Sequence, residues 1–248
     1  MMNKLFLAAA LAATTVSPLC AETFSLPPET RQVILGLSPG WNDNTARLQR
    51  WEKKDSTWQA AGPAVSVRLG KNGLAWGRGI HPAGLPGPVK KESDSRAPAG
   101  IFTLGDAYGY APDVSRKPSL TYHQVTASDL WVEDPSSPDY NKHLRLPPWR
   151  APSTDWEKKQ QMKQDDPAHS LKLFINHNAG SQIQPGAGSA IFFHIWREDG
   201  AKPSTGCTVM PEAGLKELIA WTDPAQKPLY ILLPESVYLE KKNAWKLP

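Results

Sequence analysis

The sequence predicts a mainly β fold with a few short helices, and three observations point to it. Short runs that alternate apolar and polar residues recur along the chain, which is the period of a half-buried strand. Turn formers separate these runs, since 24 prolines and 18 glycines are spread over 248 residues. Only two stretches carry the spacing or the capping signals of a helix. A chain of this length fits one all-β domain of generous size.

The first half of the chain predicts short strands joined by long connections. Strand-like alternation occurs at residues 31–37, 46–52, 64–69, 101–104, 120–125 and 130–132. Residues 70–100 are rich in Gly and Pro and predict a long loop, which either covers a site or forms a surface excursion with solvated charges. Residues 134–152 predict an irregular connection. A polar surface helix follows, with Ser153 or Thr154 as its N-cap, and runs toward Gln164.

The second half predicts three strands and one helix. Residues 171–177 are expected to pair antiparallel with the strand that starts at Ile191. Pro211 can occupy the first turn of a helix in which Leu215, Leu218 and Ile219 form an apolar stripe. Residues 229–233 are apolar throughout and predict a buried strand.

The N-terminus has the layout of a secretory signal peptide over residues 1–21, with Lys4, an apolar run and a small residue at Ala21. Acylation of Cys20 is an alternative, although Leu19 stands where lipoprotein signals want a small residue. No later stretch is long and apolar enough for a transmembrane helix. The mature chain, residues 22–248, is therefore expected as a single domain in the periplasm or outside the cell. A net charge of +4 suits an anionic wall polymer, and nucleic acid is not an expected partner of a secreted chain.

Cleavage of the leader would leave Cys207 as the one cysteine. A lone thiol in an oxidising compartment is either buried and inert or retained for its reactivity. His194 lies on the strand before it, and the breakers Asp199, Gly200 and Pro203 predict a hairpin-like reversal that returns Cys207 to His194. Nucleophilic cysteine chemistry needs this pair, because the histidine lowers the thiol pKa and moves the proton.

His194, Ser204, Gly206 and Cys207 together resemble the motif of the YkuD-type L,D-transpeptidases, which is His, a variable loop, then Ser/Thr-x-Gly-Cys. Residues 96–102, RAPAGIF, are similar to the family's T-P-x-G-x-F segment, so the likeness extends over about residues 96–211. Thr205 stands where the family commonly has His, and the usual Arg is missing from residues 208–210. These departures suggest a divergent branch.

The resemblance implies a β-sandwich-like catalytic domain without a cofactor, acting on peptidoglycan stem peptides. Cys207 would be the nucleophile and His194 the base, with the backbone around Gly206, Thr205 and Ser204 supporting the oxyanion. The carbonyl of Ile195 would orient the imidazole. An amine acceptor would give a 3→3 cross-link and water would give L,D-carboxypeptidase activity, and the sequence leaves both open.

Four further residues are candidates for substrate binding: His177, Asn178, Trp196 and Arg197. His177 is also typical of a histidine hydrogen-bonded at a strand end. Two other classes of function stay open. One is a non-catalytic wall-binding module, which the missing Arg favours. The other is a zinc site built from His177, His194 and Cys207, although their spacing matches no zinc motif.

Overall fold

The structure is a computed structural model that describes residues 24–248, so the predicted leader lies outside the described residues. The strands are β1 (Gln32–Ser38), β2 (Thr45–Lys54), β3 (Thr57–Ala60), β4 (Val65–Arg68), β5 (Leu74–Trp76), β6 (Ala97–Gly109), β7 (Tyr122–Gln124), β8 (Asp129–Trp131), β9 (His143–Arg145), β10 (Leu171–Ile175), β11 (Phe192–Ile195), β12 (Thr208–Met210) and β13 (Leu229–Pro234). The α-helices are α1 (Asp155–Lys159), α2 (Glu212–Trp221) and α3 (Glu235–Trp245).

Eight of the strands form a sheet that closes on itself. The pairing runs β1, β13, β6, β10, β11, β12, β4 and β2, and β2 returns to β1. β3, β5 and β7 extend this ring, while β8 and β9 form a separate two-stranded sheet. Closure satisfies the backbone groups that a sheet edge would leave unpaired. The prediction of a mainly β fold is confirmed.

The ring has an inner and an outer face, because successive side chains of a strand point to opposite sides. Leu173, Ile175 and Phe193 point into the main core. Phe174 and Phe192 point outward and pack in a second cluster with residues of the long excursion between β6 and β10, including Trp131 and Met162. Both faces of β10 and β11 are therefore covered, and the outer face carries the candidate site.

Both predicted helices are present in the described residues, together with a third α-helix that was not predicted. Thr154 accepts a hydrogen bond from the Glu157 N–H and the Glu157 carboxylate accepts one from the Thr154 N–H, so a capping box starts α1. α1 ends at Lys159, short of the predicted end near Gln164, and Glu157 is its one buried residue. α2 buries Leu215, Leu218 and Ile219 as predicted. The sequence did not predict α3, because Trp245 is its one buried residue and a single buried position gives no apolar stripe.

Strand pairing corrects one sequence-based interpretation. β10 and β11 pair antiparallel, as expected. β11 and β12 pair in parallel, so residues 196–207 form a return connection and not a hairpin. Parallel neighbours need about a dozen linking residues, which is the length of this connection. The predicted loops also contain the short strands β3, β5 and β9. Within residues 24–248, no helix combines the length and the apolar character needed to cross a membrane.

Candidate active site

Cys207 and His194 lie on the same face of two neighbouring strands. Phe193 pairs with Thr208 and His194 with Val209, so Cys207, one residue before β12, lies beside Phe192. The side chains of Phe192, His194, Cys207 and Val209 therefore all point outward. A lateral step of one strand and a step of two residues separate Cys207 from His194, which places their Cα atoms about 8 Å apart. Side chains across that distance can meet over the sheet.

The thiol is held by two backbone groups. The Phe192 N–H donates to Cys207 Sγ at 3.4 Å, and the thiol donates to the Ala190 carbonyl at 3.4 Å. Ala190 has a φ of 53°, a left-handed conformation that alanine seldom adopts. Cys207 is partly exposed and lines a cavity, and burial of its thiol raises the pKa to about 11. The resting group is thus a thiol at neutral pH.

Asn141 braces the backbone around this thiol. Its Oδ1 accepts from the Ala190 N–H at 2.9 Å and from Trp131 Nε1 at 3.0 Å. Its Nδ2 donates to the carbonyls of His177 at 3.1 Å and Asn178 at 2.8 Å. Because the side chain is buried, all four partners depend on it for their hydrogen bonds.

The imidazole of His194 is oriented by the main chain. Its Nδ1 lies 2.8 Å from the Ile195 carbonyl, so Nδ1 carries the proton and Nε2 is the basic nitrogen. Burial lowers the pKa of His194 to about 4, which keeps the ring neutral at pH 7. A neutral imidazole on the same sheet face as a neutral thiol can take up the thiol proton.

A second histidine supports the first. His169 stacks on His194 with ring centroids 4.9 Å apart. Its Nε2 accepts from Arg197 Nη2 at 2.9 Å, and Arg197 is ion-paired with Asp166 at 2.6 Å. Burial lowers the pKa of His169 to about 3, so it stays neutral and does not compete for the proton. The stack therefore fixes the plane of His194 without adding charge.

A cavity of about 480 Å³ opens over the pair. Its wall combines aromatic surface from Trp131 and Phe192 with several charged groups. The charged and titratable residues of the wall are Lys90, Glu92, Glu133, His169, Lys172, His194 and Arg197. This size and mixture suit a polar peptide segment.

The sequence matches the model of the L,D-transpeptidase catalytic domain family, YkuD, over residues 42–231. The chain belongs to this family. Among solved structures, it is similar to the helical cell shape determining protein Pgp2 from Campylobacter jejuni at 13% identity and a TM-score of 0.40. That alignment covers 82% of this chain and 48% of the other, so the chain spans about half the length of that structure. No curated protein matches the chain significantly.

The L,D-transpeptidase motif forms a tight turn before Cys207. Ser204 Oγ donates to the Cys207 carbonyl at 2.5 Å and accepts from the Gly206 N–H at 3.0 Å. Gly206 has a φ of 152°, and a Cβ there would lie 3.1 Å from the Arg96 carbonyl. Thr205 is exposed at the tip. Ser204 and Gly206 therefore shape the loop that presents the thiol, and the Gly206 N–H is already used within it.

His177 and Asn178 hydrogen-bond within the protein, and neither lines the cavity. His177 is fully buried, accepts from the Arg78 N–H at 3.1 Å and donates from Nε2 to the Ala187 carbonyl at 3.0 Å. Asn178 Nδ2 donates to the carbonyls of Gln184 and Gly188. These bonds hold the loop before β11, and the role of both residues in substrate binding stays a prediction.

The side chains of Trp196 and Arg197 line different cavities. The strand alternation ends at Ile195, and Trp196 lines a different cavity with Arg68 and Gly200. Trp196 does not line the cavity with Cys207, and its contact with substrate stays a prediction. Arg197 does line the cavity with Cys207. Within residues 24–248, no three His, Cys, Asp or Glu side chains are grouped to hold a metal ion.

Sequence reasoning missed three residues at the site: Asn141, His169 and Lys172. Asn141 lies in a connection without periodicity, and His169 in a short 3-10 turn capped by Asp166. Lys172 alternates with leucines in β10, a pattern typical of a solvent-facing residue. Asn141 has a φ of 58°, which marks a special backbone position. A φ value is visible only in the structure, so nothing in the sequence indicated it.

Replacing Asn141, which braces the backbone around the thiol, should destabilise the protein. Asn141→Ala is expected to lower the free energy of unfolding by about 3 kcal/mol, because buried donors and acceptors lose their partners. Denaturant unfolding measures this loss. Asn176→Ala is the matched control, since Asn176 Nδ2 donates to Thr103 Oγ1 in a partly exposed setting. Equal losses for the two variants would contradict the bracing role.

Proposed function

We propose that this chain is an L,D-transpeptidase that transfers acyl groups of peptidoglycan stem peptides through Cys207. The observation that carries the proposal is the placement of Cys207 and His194 on one sheet face at the base of a cavity, with the imidazole already oriented by the Ile195 carbonyl. Family membership gives the reaction class. The charged and aromatic cavity wall suits a peptide with carboxylate and amine groups.

In the proposed first half-reaction, Sγ attacks the carbonyl carbon that precedes the terminal D-residue, and the thiol proton moves to His194 Nε2. The tetrahedral intermediate collapses as Nε2 gives this proton to the leaving amine. The C–N bond breaks and a thioester remains on Cys207. We assign the oxyanion to the Cys207 N–H, because the Gly206 N–H is engaged with Ser204 Oγ.

In the second half-reaction an acceptor attacks the thioester and gives its proton to His194, which returns it to Sγ. An amine acceptor yields a 3→3 cross-link, and water yields L,D-carboxypeptidase activity. We also propose that residues 22–248 act as one catalytic domain outside the cytoplasm, after removal of the leader.

Incubation with purified muropeptides, followed by mass spectrometry, tests this proposal. We expect loss of the terminal D-amino acid from tetrapeptide stems and a transient protein mass increased by the acyl group. Dimer masses would indicate cross-linking, and tripeptide stems alone would indicate hydrolysis. Retention of muropeptides by the protein without any change in their mass would instead favour a wall-binding module.

A further inference from the structure

Lys172 is a buried cation beside the candidate nucleophile. It pairs across strands with His194 and is 5% exposed. Its Nζ lies 5.5 Å from the centroid of the Phe192 ring and 3.4 Å from the Met162 carbonyl. Because the Phe192 N–H contacts Cys207 Sγ, the ammonium group lies over the residue that touches the thiol.

The other cations of the cavity wall are already neutralised. Lys90 forms an ion pair with Asp94 at 2.5 Å, and Arg197 forms one with Asp166 at 2.6 Å. Among residues 24–248, no carboxylate lies within ion-pair distance of Lys172. A buried ammonium group that directly contacts a carbonyl and an aromatic face but no carboxylate is costly, which makes it a strong attractor for a nearby negative charge.

The titrating groups around Lys172 are coupled. Burial lowers the pKa of Lys172 to about 8, and the charges of Cys207 and Glu133 raise it. For the thiol of Cys207, burial and Glu133 raise the pKa, while Lys172 and Lys90 lower it. For His194, burial, Lys172 and Arg197 lower the pKa. Lys172 therefore stays charged at neutral pH and has no ion-pair partner in the described part of the chain. Its charge lowers the pKa of both Cys207 and His194.

We infer that the ammonium group of Lys172 is the counter-charge that stabilises the Cys207 thiolate, an inference that rests on the proposed role of Cys207 as nucleophile. When Sγ gives its proton to His194, the new negative charge faces Lys172, which keeps its own proton throughout. The same positive charge opposes protonation of His194. The imidazolium consequently releases its proton readily to the leaving amine.

Alkylation of Cys207 by iodoacetamide as a function of pH tests this role without any turnover. In Lys172→Met, which keeps an unbranched side chain over the Phe192 ring, ionisation of the thiol near pH 7 should become harder by about one pKa unit or more, because wild-type Lys172 is charged at that pH. Since one unit is a factor of ten in thiolate, the alkylation rate at pH 7 should fall about tenfold. Peptide mapping assigns the label to Cys207.

Two controls accompany this variant. Lys172→Arg retains the charge and should alkylate within about threefold of the wild-type rate. Lys163→Met removes an exposed lysine next to Met162 and should leave the profile unchanged. A wild-type profile in folded Lys172→Met would overturn the inference. A shifted profile in a protein that transfers no acyl group would uphold the electrostatic role and refute the proposed function.

A reciprocal measurement covers the case in which Lys172→Met does not fold. Coupling between two sites is mutual, so Cys207→Asp, which places a carboxylate where the thiolate would form, should raise the pKa of Lys172 relative to the neutral variant Cys207→Asn. Carbon NMR of the lysine ε-methylene groups follows that titration. Equal Lys172 pKa values in Cys207→Asp and Cys207→Asn would contradict the inference.

Discussion

Cys207→Ala is expected to reduce acyl transfer from muropeptides by a factor on the order of 10⁴ or more, because no other group can form the thioester. Among residues 24–248, Cys207 is the one free cysteine. Its Sγ makes two backbone contacts, each 3.4 Å long, so the substitution removes little else. The measurement is the rate of D-amino acid release with wild type and variant at equal concentration.

The fold should survive this change. We expect the free energy of unfolding of Cys207→Ala to lie within about 1 kcal/mol of the wild-type value. A folded variant that keeps more than about a tenth of the activity would mean that another residue attacks the substrate. A collapse of stability would assign Cys207 to the structure of the site and not to its chemistry.

His194→Ala is expected to lower acyl transfer by about 10²–10⁴-fold, which is the usual contribution of general acid and base catalysis. The neutral imidazole and its bond to the Ile195 carbonyl support this role. Because Cys207 and His194 act as a unit, the double variant should be no slower than Cys207→Ala alone. Single-turnover acylation, measured on wild type, the two single variants and the double variant, gives all four rates.

His177→Ala is the matched control for His194→Ala. His177 is a buried histidine of the neighbouring segment, and its two ring nitrogens are satisfied by the Arg78 N–H and the Ala187 carbonyl. Its loss should lower the free energy of unfolding by about 2 kcal/mol and leave the rate per folded molecule nearly unchanged. Equal rate losses at both positions would remove the reason for assigning the base to His194.

Much of the fold could be predicted from local patterns. Alternation located β1, β2, β4 and β10, a continuous apolar run located β13, and the apolar stripe located α2. Closure of the ring and the parallel pairing of β11 with β12 depend on which strands meet across long sequence separations. The breakers between His194 and Cys207 indicate that the chain turns, but they are equally compatible with a hairpin and with a return connection.

The residues of the candidate site also form two groups, those that the sequence could predict and those that it could not. Cys207, His194 and the turn from Ser204 to Gly206 lie close in sequence and share a motif, so the sequence could bring them together. Lys172 reaches the site because the excursion between β6 and β10 covers the outer face of the ring. Its burial is a tertiary effect that alternation along β10 cannot show.

The most direct test of the central claim is trapping of the thiol in the folded protein by an activated acyl compound. The resemblance to L,D-transpeptidases indicates a carbapenem β-lactam as the probe, because its strained amide can acylate a prepared thiol. Intact-mass analysis should show one added drug mass, peptide mapping should place it on Cys207, and Cys207→Ala should show none. Labelling only after denaturation, or an adduct that persists in Cys207→Ala, would contradict Cys207 as the nucleophile.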